Sequence, residues 1–217
     1  MARIPPISAF IWRAALLCGP FAGCQEGSQY ASHVESQTRA VRPSNDSVRV
    51  LQTLPEFTLT SQQGQPFGSD DLNGKAWIAN FVFTRCTATC PAQTAELARL
   101  QRELGRHPKS NEIRFVSISV DPECDSPDVL QKYAERFEAD LSNWAFLTGQ
   151  RDKIWALSKE GFKLPVADQP QDSRSPILHS SKFILVDRQH RVRGYYEARA
   201  PEEMVQLKRD LDVIVME

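Results

Sequence analysis

The sequence lacks the features that identify several common classes of protein. Its formal net charge is −1 over 217 residues, and it contains no long basic run. This composition indicates neither a nucleic acid nor an anionic membrane face as a partner. The chain also has no internal repeat and no uninterrupted apolar run of about 20 residues, the length that a spanning helix needs. With 41% hydrophobic residues, it instead has the composition of an ordinary globular protein.

Cysteine is scarce, and the first two of the five cysteines lie in an unusual N-terminal segment. Arg3 and Arg13 precede a short apolar stretch in residues 1–24, which predicts an export signal. Residues 21–24 (FAGC) resemble a bacterial lipobox, although the phenylalanine stands where leucine is usual. We therefore expect Cys24 to be acylated and to anchor the protein on the periplasmic side of a bacterial cell membrane. The alternative is an ordinary secretory signal with an incidental Cys24.

The rest of the chain divides into a tether and one domain. Residues 25–50 are polar and predict a flexible tether, and residues 51–217 predict a single folded domain. The domain holds an odd number of cysteines, Cys86, Cys90 and Cys124, which argues against a framework of structural disulfides. Outside the cytosol, a close pair that is retained indicates redox or metal chemistry.

Within the domain, apolar runs alternate with helical patterns, and this alternation predicts an α/β fold. An N-terminal β-hairpin and cysteines at a strand end further suggest a thioredoxin-like central sheet flanked by helices. The loop at 162–176 is long enough to indicate function or mobility. The predicted strands are 56–60, 66–67, 77–83, 113–120, 144–148, 182–187 and 192–196, and the predicted helices are 91–105, 127–137, 152–160 and 201–213.

Cys86 and Cys90 directly follow the predicted central strand 77–83. Pro91 suits the first turn of a helix, so Cys90 is expected at a helix N-terminus, where the dipole favours a thiolate. Residues four apart on a helix have Cβ atoms roughly 5–6 Å apart, whereas a disulfide needs about 3.5–4.5 Å. We therefore expect the pair to need local movement to switch between a disulfide and a metal-bound form.

His179 precedes its strand, so the strand 182–187 must run antiparallel to bring His179 to the edge that carries the cysteines. Two thiolates and one imidazole form a soft ligand set that suits Cu(I), zinc or an iron–sulfur cluster, and also oxidised copper if a further oxygen or nitrogen is available. Structural zinc needs four ligands, for which Cys124 is a candidate fourth. Asp121 and Asp125 are interpreted as turn and cap residues.

Three segments of the chain together resemble the Sco/SenC family over nearly all of residues 51–217. They are 80–91 (NFVFTRCTATCP), 117–127 (SISVDPECDSP), and His179 ahead of 183–187 (FILVD). The resemblance implies a thioredoxin-like copper chaperone that binds one copper through Cys86, Cys90 and His179. It also implies a role in maturing the binuclear copper site of cytochrome c oxidase subunit II, either by delivering copper or by preparing its cysteines.

The chain departs from the family pattern at two positions. Leu178 stands where an aspartate often precedes the histidine, which puts the support of the imidazole in doubt. Cys124 replaces a residue that is usually charged, and is either inert or a third thiol able to trap the pair.

The main alternative function is an extracytoplasmic thiol-disulfide oxidoreductase acting on partner cysteines. It would not need His179. The chain lacks the two-residue spacing of thioredoxin cysteines and has Ser180 and Ser181, where thioredoxins carry a proline. A peroxiredoxin-like peroxidase is disfavoured because Ala79 and Phe83 break the motif that precedes its reactive cysteine.

Overall fold

Most of the strands form one mixed sheet in the computed structural model, which describes residues 48–217. The export signal, Cys24 and nearly all of the predicted tether lie outside these residues. The sheet has the order β1-β10-β9-β4-β5-β6-β2-β3, and a separate ribbon consists of β7 and β8. The strands are β1 (Gln52–Thr53), β2 (Thr58–Ser61), β3 (Pro66–Gly68), β4 (Ala76–Val82), β5 (Ile113–Ser119), β6 (Trp144–Thr148), β7 (Ala167–Asp168), β8 (Ile177–Leu178), β9 (Lys182–Val186) and β10 (Arg191–Glu197).

The helices cover both faces of this sheet, and alternate residues of β4 divide the core between them. Ile78 packs with residues of α1, α2 and α4 on one face, whereas Trp77 and Phe81 pack with α3 residues on the other. The helices are α1 (Cys90–Leu104), α2 (Pro127–Arg136), α3 (Arg151–Ala156) and α4 (Pro201–Met216). Among residues 48–217, no helix combines the length and apolar character needed to cross a membrane.

Strand direction places the predicted site at one edge of the sheet. β4 pairs in parallel with β5, and β9 runs antiparallel to β4, with Ile184 opposite Ala79. The carboxyl ends of β4 and β5 therefore meet the start of β9. This arrangement confirms that the segment carrying His179 returns to the edge where Cys86 and Cys90 lie.

Most of the predicted elements are present, and the differences are confined to short or irregular segments. The hairpin is formed by β2 and β3, with Leu59 opposite Phe67. The predicted helix 152–160 instead changes after Ala156 into a wider π-helical turn, Leu157–Gly161. Three strands were not predicted: the two-residue edge strand β1, and the strands β7 and β8 of the ribbon, of which β7 lies within the predicted 162–176 loop.

Candidate metal centre

The two cysteines lie at the junction between β4 and α1. β4 ends at Val82, a loop spans 83–89, and Cys90 is the first residue of α1. Both thiols are free and buried. Because Cys86 lies in the loop, the helical geometry assumed from the four-residue spacing does not apply to the pair.

His179 completes a cluster of three possible metal ligands. It follows β8 and precedes β9, and it is only half-buried. The two Sγ atoms and one ring nitrogen all lie within 4.8 Å of one another, and these three residues could hold a metal ion. The Sγ of Cys90 lies 3.1 Å from Nε2 of His179. The structure thus brings together the three residues selected from the sequence, Cys86, Cys90 and His179.

A backbone carbonyl orients the imidazole. Nδ1 of His179 lies 3.0 Å from the carbonyl oxygen of Ser180, which can only accept a hydrogen bond. Nδ1 is therefore the protonated nitrogen, and Nε2 offers its lone pair to the cysteines. The ring of Phe83 also packs edge-on against the imidazole at 5.4 Å. Leu178 cannot accept a hydrogen bond from the imidazole through its side chain, and the backbone carbonyl of Ser180 accepts one instead.

The negative charge of the pair is concentrated on Cys86. A hydrogen bond with Cys90 lowers the pKa of Cys86 to about 3, against the opposing effect of burial. The contact with Cys86, together with burial, raises the pKa of Cys90 above its ordinary value. Cys90 lies at a helix N-terminus, as predicted, and its contact with Cys86 opposes the effect of the helix dipole on its thiol.

Two carboxylates hold the residues that precede Cys86. The buried carboxylate of Asp125 accepts hydrogen bonds from the backbone N–H of Thr84 at 3.1 Å and from its hydroxyl at 2.6 Å. Arg85 forms an ion pair with Asp121 at 2.7 Å. The aspartates are thus not members of the ligand cluster, but they hold the loop 83–89, which carries Cys86. Sequence spacing gave no signal for a contact between Thr84 and Asp125.

Cys124 lies apart from the cluster. Its side chain is exposed, and it is not one of the residues that the described part of the chain brings together as possible metal ligands. The structure therefore gives no support to a four-ligand zinc site that includes Cys124.

The long loop after α3 contacts the cysteine loop. The backbone N–H of Thr87 donates to the carbonyl of Arg174 at 3.0 Å. The same loop leads into β8, whose last residue precedes His179. The long loop thus touches the loop that carries Cys86 and leads, through β8, to His179.

Comparison with known proteins identifies the family. A model of the SCO1/SenC family matches residues 33–211. This chain belongs to that family. Members include proteins of cytochrome c oxidase assembly and proteins with bound copper, as two of the structures below illustrate.

Three solved Sco structures resemble the chain. A SCO1/SenC family lipoprotein from Bacillus anthracis is 37% identical, with a TM-score of 0.65 over 73% of this chain and 94% of the other. BsSco, described as a Sco-family cytochrome c oxidase assembly protein with a disulfide switch, is 28% identical, with a TM-score of 0.66 over 78% and 98%. Copper-bound ScoI from Bradyrhizobium japonicum is 25% identical, with a TM-score of 0.61 over 73% and 99%.

These similarities confirm the predicted thioredoxin-like α/β fold and the predicted family. One of the similar structures, ScoI from Bradyrhizobium japonicum, has copper bound. Thiolate and imidazole are ligands that copper accepts, and the free lone pair on Nε2 of His179 faces the cysteines. The residues present therefore fit copper.

Proposed function

We propose that this chain is a copper chaperone that binds one copper ion through Cys86, Cys90 and His179. The observation that carries the proposal is the convergence of two free thiols and Nε2 of His179 within 4.8 Å. The tautomer of His179 leaves a lone pair on Nε2, and the low pKa of Cys86 favours its thiolate, so both atoms can bind a soft metal.

We further propose that the receiving site is the binuclear copper site of cytochrome c oxidase subunit II. Support comes from the family, since BsSco is described as a cytochrome c oxidase assembly protein. This chain would deliver copper there or prepare the cysteines that receive it. Delivery by ligand exchange suits the site, because the half-buried His179 is its most exposed ligand and can leave as a partner's thiolate enters.

The deciding experiment is an anaerobic Cu(I) titration of the reduced chain against a competing chelator. Wild type should bind one equivalent, and His179→Ala should weaken binding at least tenfold. His107→Ala is the matched control, because His107 pairs with Asp212 and is not in the cluster. Binding of His179→Ala that equals the wild type would remove His179 from the ligand set.

A second function is favoured by one observation, the hydrogen bond between the two free thiols, which lowers the pKa of Cys86. Such a pair can act as a thiol-disulfide reductase: the Cys86 thiolate attacks a partner's disulfide, a partner thiolate leaves, and Cys90 then releases the second partner thiol by closing the Cys86–Cys90 disulfide. Negligible Cu(I) binding combined with rapid reduction of a protein disulfide would replace the chaperone function with this one.

We also propose that the chain is held at the extracytoplasmic face of a bacterial membrane by a lipid on Cys24, and that the polar residues between Cys24 and the buried Val48 act as its tether. The supporting facts are the lipobox-like sequence around Cys24 and the description of the Bacillus anthracis relative as a lipoprotein.

A further inference from the structure

Gln93 carries a buried oxygen that lacks a partner. The residue is only 1% exposed, and its Oε1 has no hydrogen-bond partner among residues 48–217. Its Nε2 donates to the carbonyl oxygen of Lys182 over a long 3.4 Å. Buried polar atoms are nearly always paired, so this unpaired oxygen needs an explanation.

The position of Gln93 relates it to the metal centre. It lies three residues after Cys90 on α1, so the two side chains share one face of the helix. Side chains on a helix lean towards its N-terminus, which carries the Gln93 amide back over the turn that begins with Cys90. Its hydrogen-bond partner, Lys182, is three residues after His179. The amide therefore bridges the two segments that supply Cys90 and His179.

The hydrogen bond to Lys182 fixes the orientation of this amide. A backbone carbonyl only accepts hydrogen bonds, so Gln93 must present Nε2 to Lys182. Oε1, on the other arm of the amide, then faces away from Lys182 with its lone pairs free. The resulting feature is a buried, neutral oxygen donor on the residue one helical turn after Cys90, whose amide is bonded to the segment that follows His179.

We propose that Oε1 of Gln93 is an additional ligand for copper in its oxidised state. This inference rests on the proposed copper-binding function. Cu(I) is satisfied by the soft ligands Cys86, Cys90 and His179, whereas Cu(II) prefers further nitrogen or oxygen donors, and glutamine oxygen is an attested weak ligand in copper proteins. A neutral amide adds a donor without adding charge to the two thiolates. Gln93 thus stabilises Cu(II) selectively.

The test compares Gln93→Leu with wild type in the full chain, loaded with Cu(I) or with Cu(II). Leucine keeps a similar volume and removes the oxygen. We expect the Cu(II) dissociation constant to rise about tenfold and the Cu(I) constant to stay unchanged, which raises the copper reduction potential by about 59 mV for this one-electron couple. The electron paramagnetic resonance spectrum of the Cu(II) form should also change.

Two further variants separate ligation from folding. Gln101→Leu is the matched control on the same helix, because Gln101 is also buried but its amide is fully paired with Asp140 and Asn143. It should lower stability and leave the Cu(II) spectrum unchanged. Gln93→Glu, which retains an oxygen at this position, should restore tight Cu(II) binding.

The outcomes distinguish this inference from the function on which it rests. Normal Cu(I) binding with a Cu(II) spectrum and potential identical to wild type in Gln93→Leu would overturn the ligand assignment alone. Equal losses of Cu(I) and Cu(II) affinity would overturn it too, because the residue would then act only through folding. Failure of the wild-type chain to bind copper at all would overturn both.

Discussion

At the scale of single residues, Asp187 is the most densely bonded carboxylate of the edge remote from the metal centre. It is 1% exposed and accepts hydrogen bonds from the backbone N–H groups of Gln189 and Arg191 and from the guanidinium groups of Arg191 and Arg193. Burial alone would raise its pKa, but these donors outweigh that effect and lower the pKa below its ordinary value. The ionised form is therefore bound more tightly in the folded state than in the unfolded state.

This shift predicts how stability depends on pH. Because the folded pKa of Asp187 lies below the unfolded value of about 3.9, its stabilisation is present above that pH and is lost as the pH falls through the folded pKa. Asp187→Asn should lower the free energy of unfolding at pH 7 by about 3 kcal/mol, since it leaves buried Arg193 with Glu217 as its remaining anionic partner. Urea unfolding between pH 2 and pH 7 measures both effects.

The control for this prediction is Asp152→Asn, at an exposed position on α3. It should follow the wild-type profile. Asp187→Asn should instead give a shallower loss of stability below about pH 4. A variant profile parallel to that of the wild type would contradict the assignment.

The sequence could identify the residues of the candidate metal centre but not all of their contacts. Cys86, Cys90 and His179 were predictable because a strand-to-helix junction and an antiparallel strand determine where their backbones lie. The hydrogen bond from His179 to the Ser180 carbonyl was not, because backbone groups are present at every residue and give no sequence signal. The contact of Asp125 was not predictable either, because its partner Thr84 lies 41 residues away along the chain.

At the scale of elements, one side chain links the β7–β8 ribbon to α3 and to the turn after β5. Arg151 on α3 pairs with Asp168 of β7 and, at 3.3 Å, with Glu123 in the turn after β5. Its guanidinium also stacks 4.3 Å above the ring of Trp155. Since β7 pairs with the strand that ends just before His179, Arg151 restrains the His179 segment.

Arg151→Ala should therefore loosen the ribbon. Of these contacts, only the ion pair with Asp168 joins Arg151 to the ribbon, and exposed ion pairs contribute about 0.2–1 kcal/mol each. We expect the opening free energy of residues 167–178 to fall by up to about 1 kcal/mol. Amide hydrogen exchange of this segment measures the change.

The matched control is Arg99→Ala, because Arg99 also pairs with two glutamates, Glu96 and Glu103, but lies on the outer face of α1. It should leave exchange in the ribbon unchanged. Equal protection of 167–178 in Arg151→Ala and wild type would show that the ion pairs do not restrain the ribbon.

Elements with clear periodicity were predictable, whereas the shortest ones were not. β4 and β5 are seven residues long and buried on both faces, which produces the continuous apolar runs seen in the sequence. β1, β7 and β8 have two residues each, too few to show an alternating pattern. Their pairing depends on neighbours that are distant in sequence.

At the scale of the whole molecule, the remaining prediction concerns how the protein is attached to the membrane. If Cys24 carries lipid, Cys24→Ser should release the protein from the membrane fraction, because the predicted anchor is removed while the domain is unchanged. Fractionation of cells followed by detection of the protein measures this release. Cys18→Ser is the control, since Cys18 precedes the lipobox-like residues 21–24 and should not affect attachment. Continued tight association of Cys24→Ser would refute lipidation.

The first residues of the domain lie on the side of the sheet opposite the two cysteines. The carbonyl of Val48 accepts hydrogen bonds from Arg193, near the start of β10, while Cys86 follows the far end of β4. The register of β4, β9 and β10 places these two points at opposite edges of the sheet. A force applied through the residues before Val48 therefore acts on the side of the domain opposite Cys86 and does not pull directly on the loop that carries this cysteine.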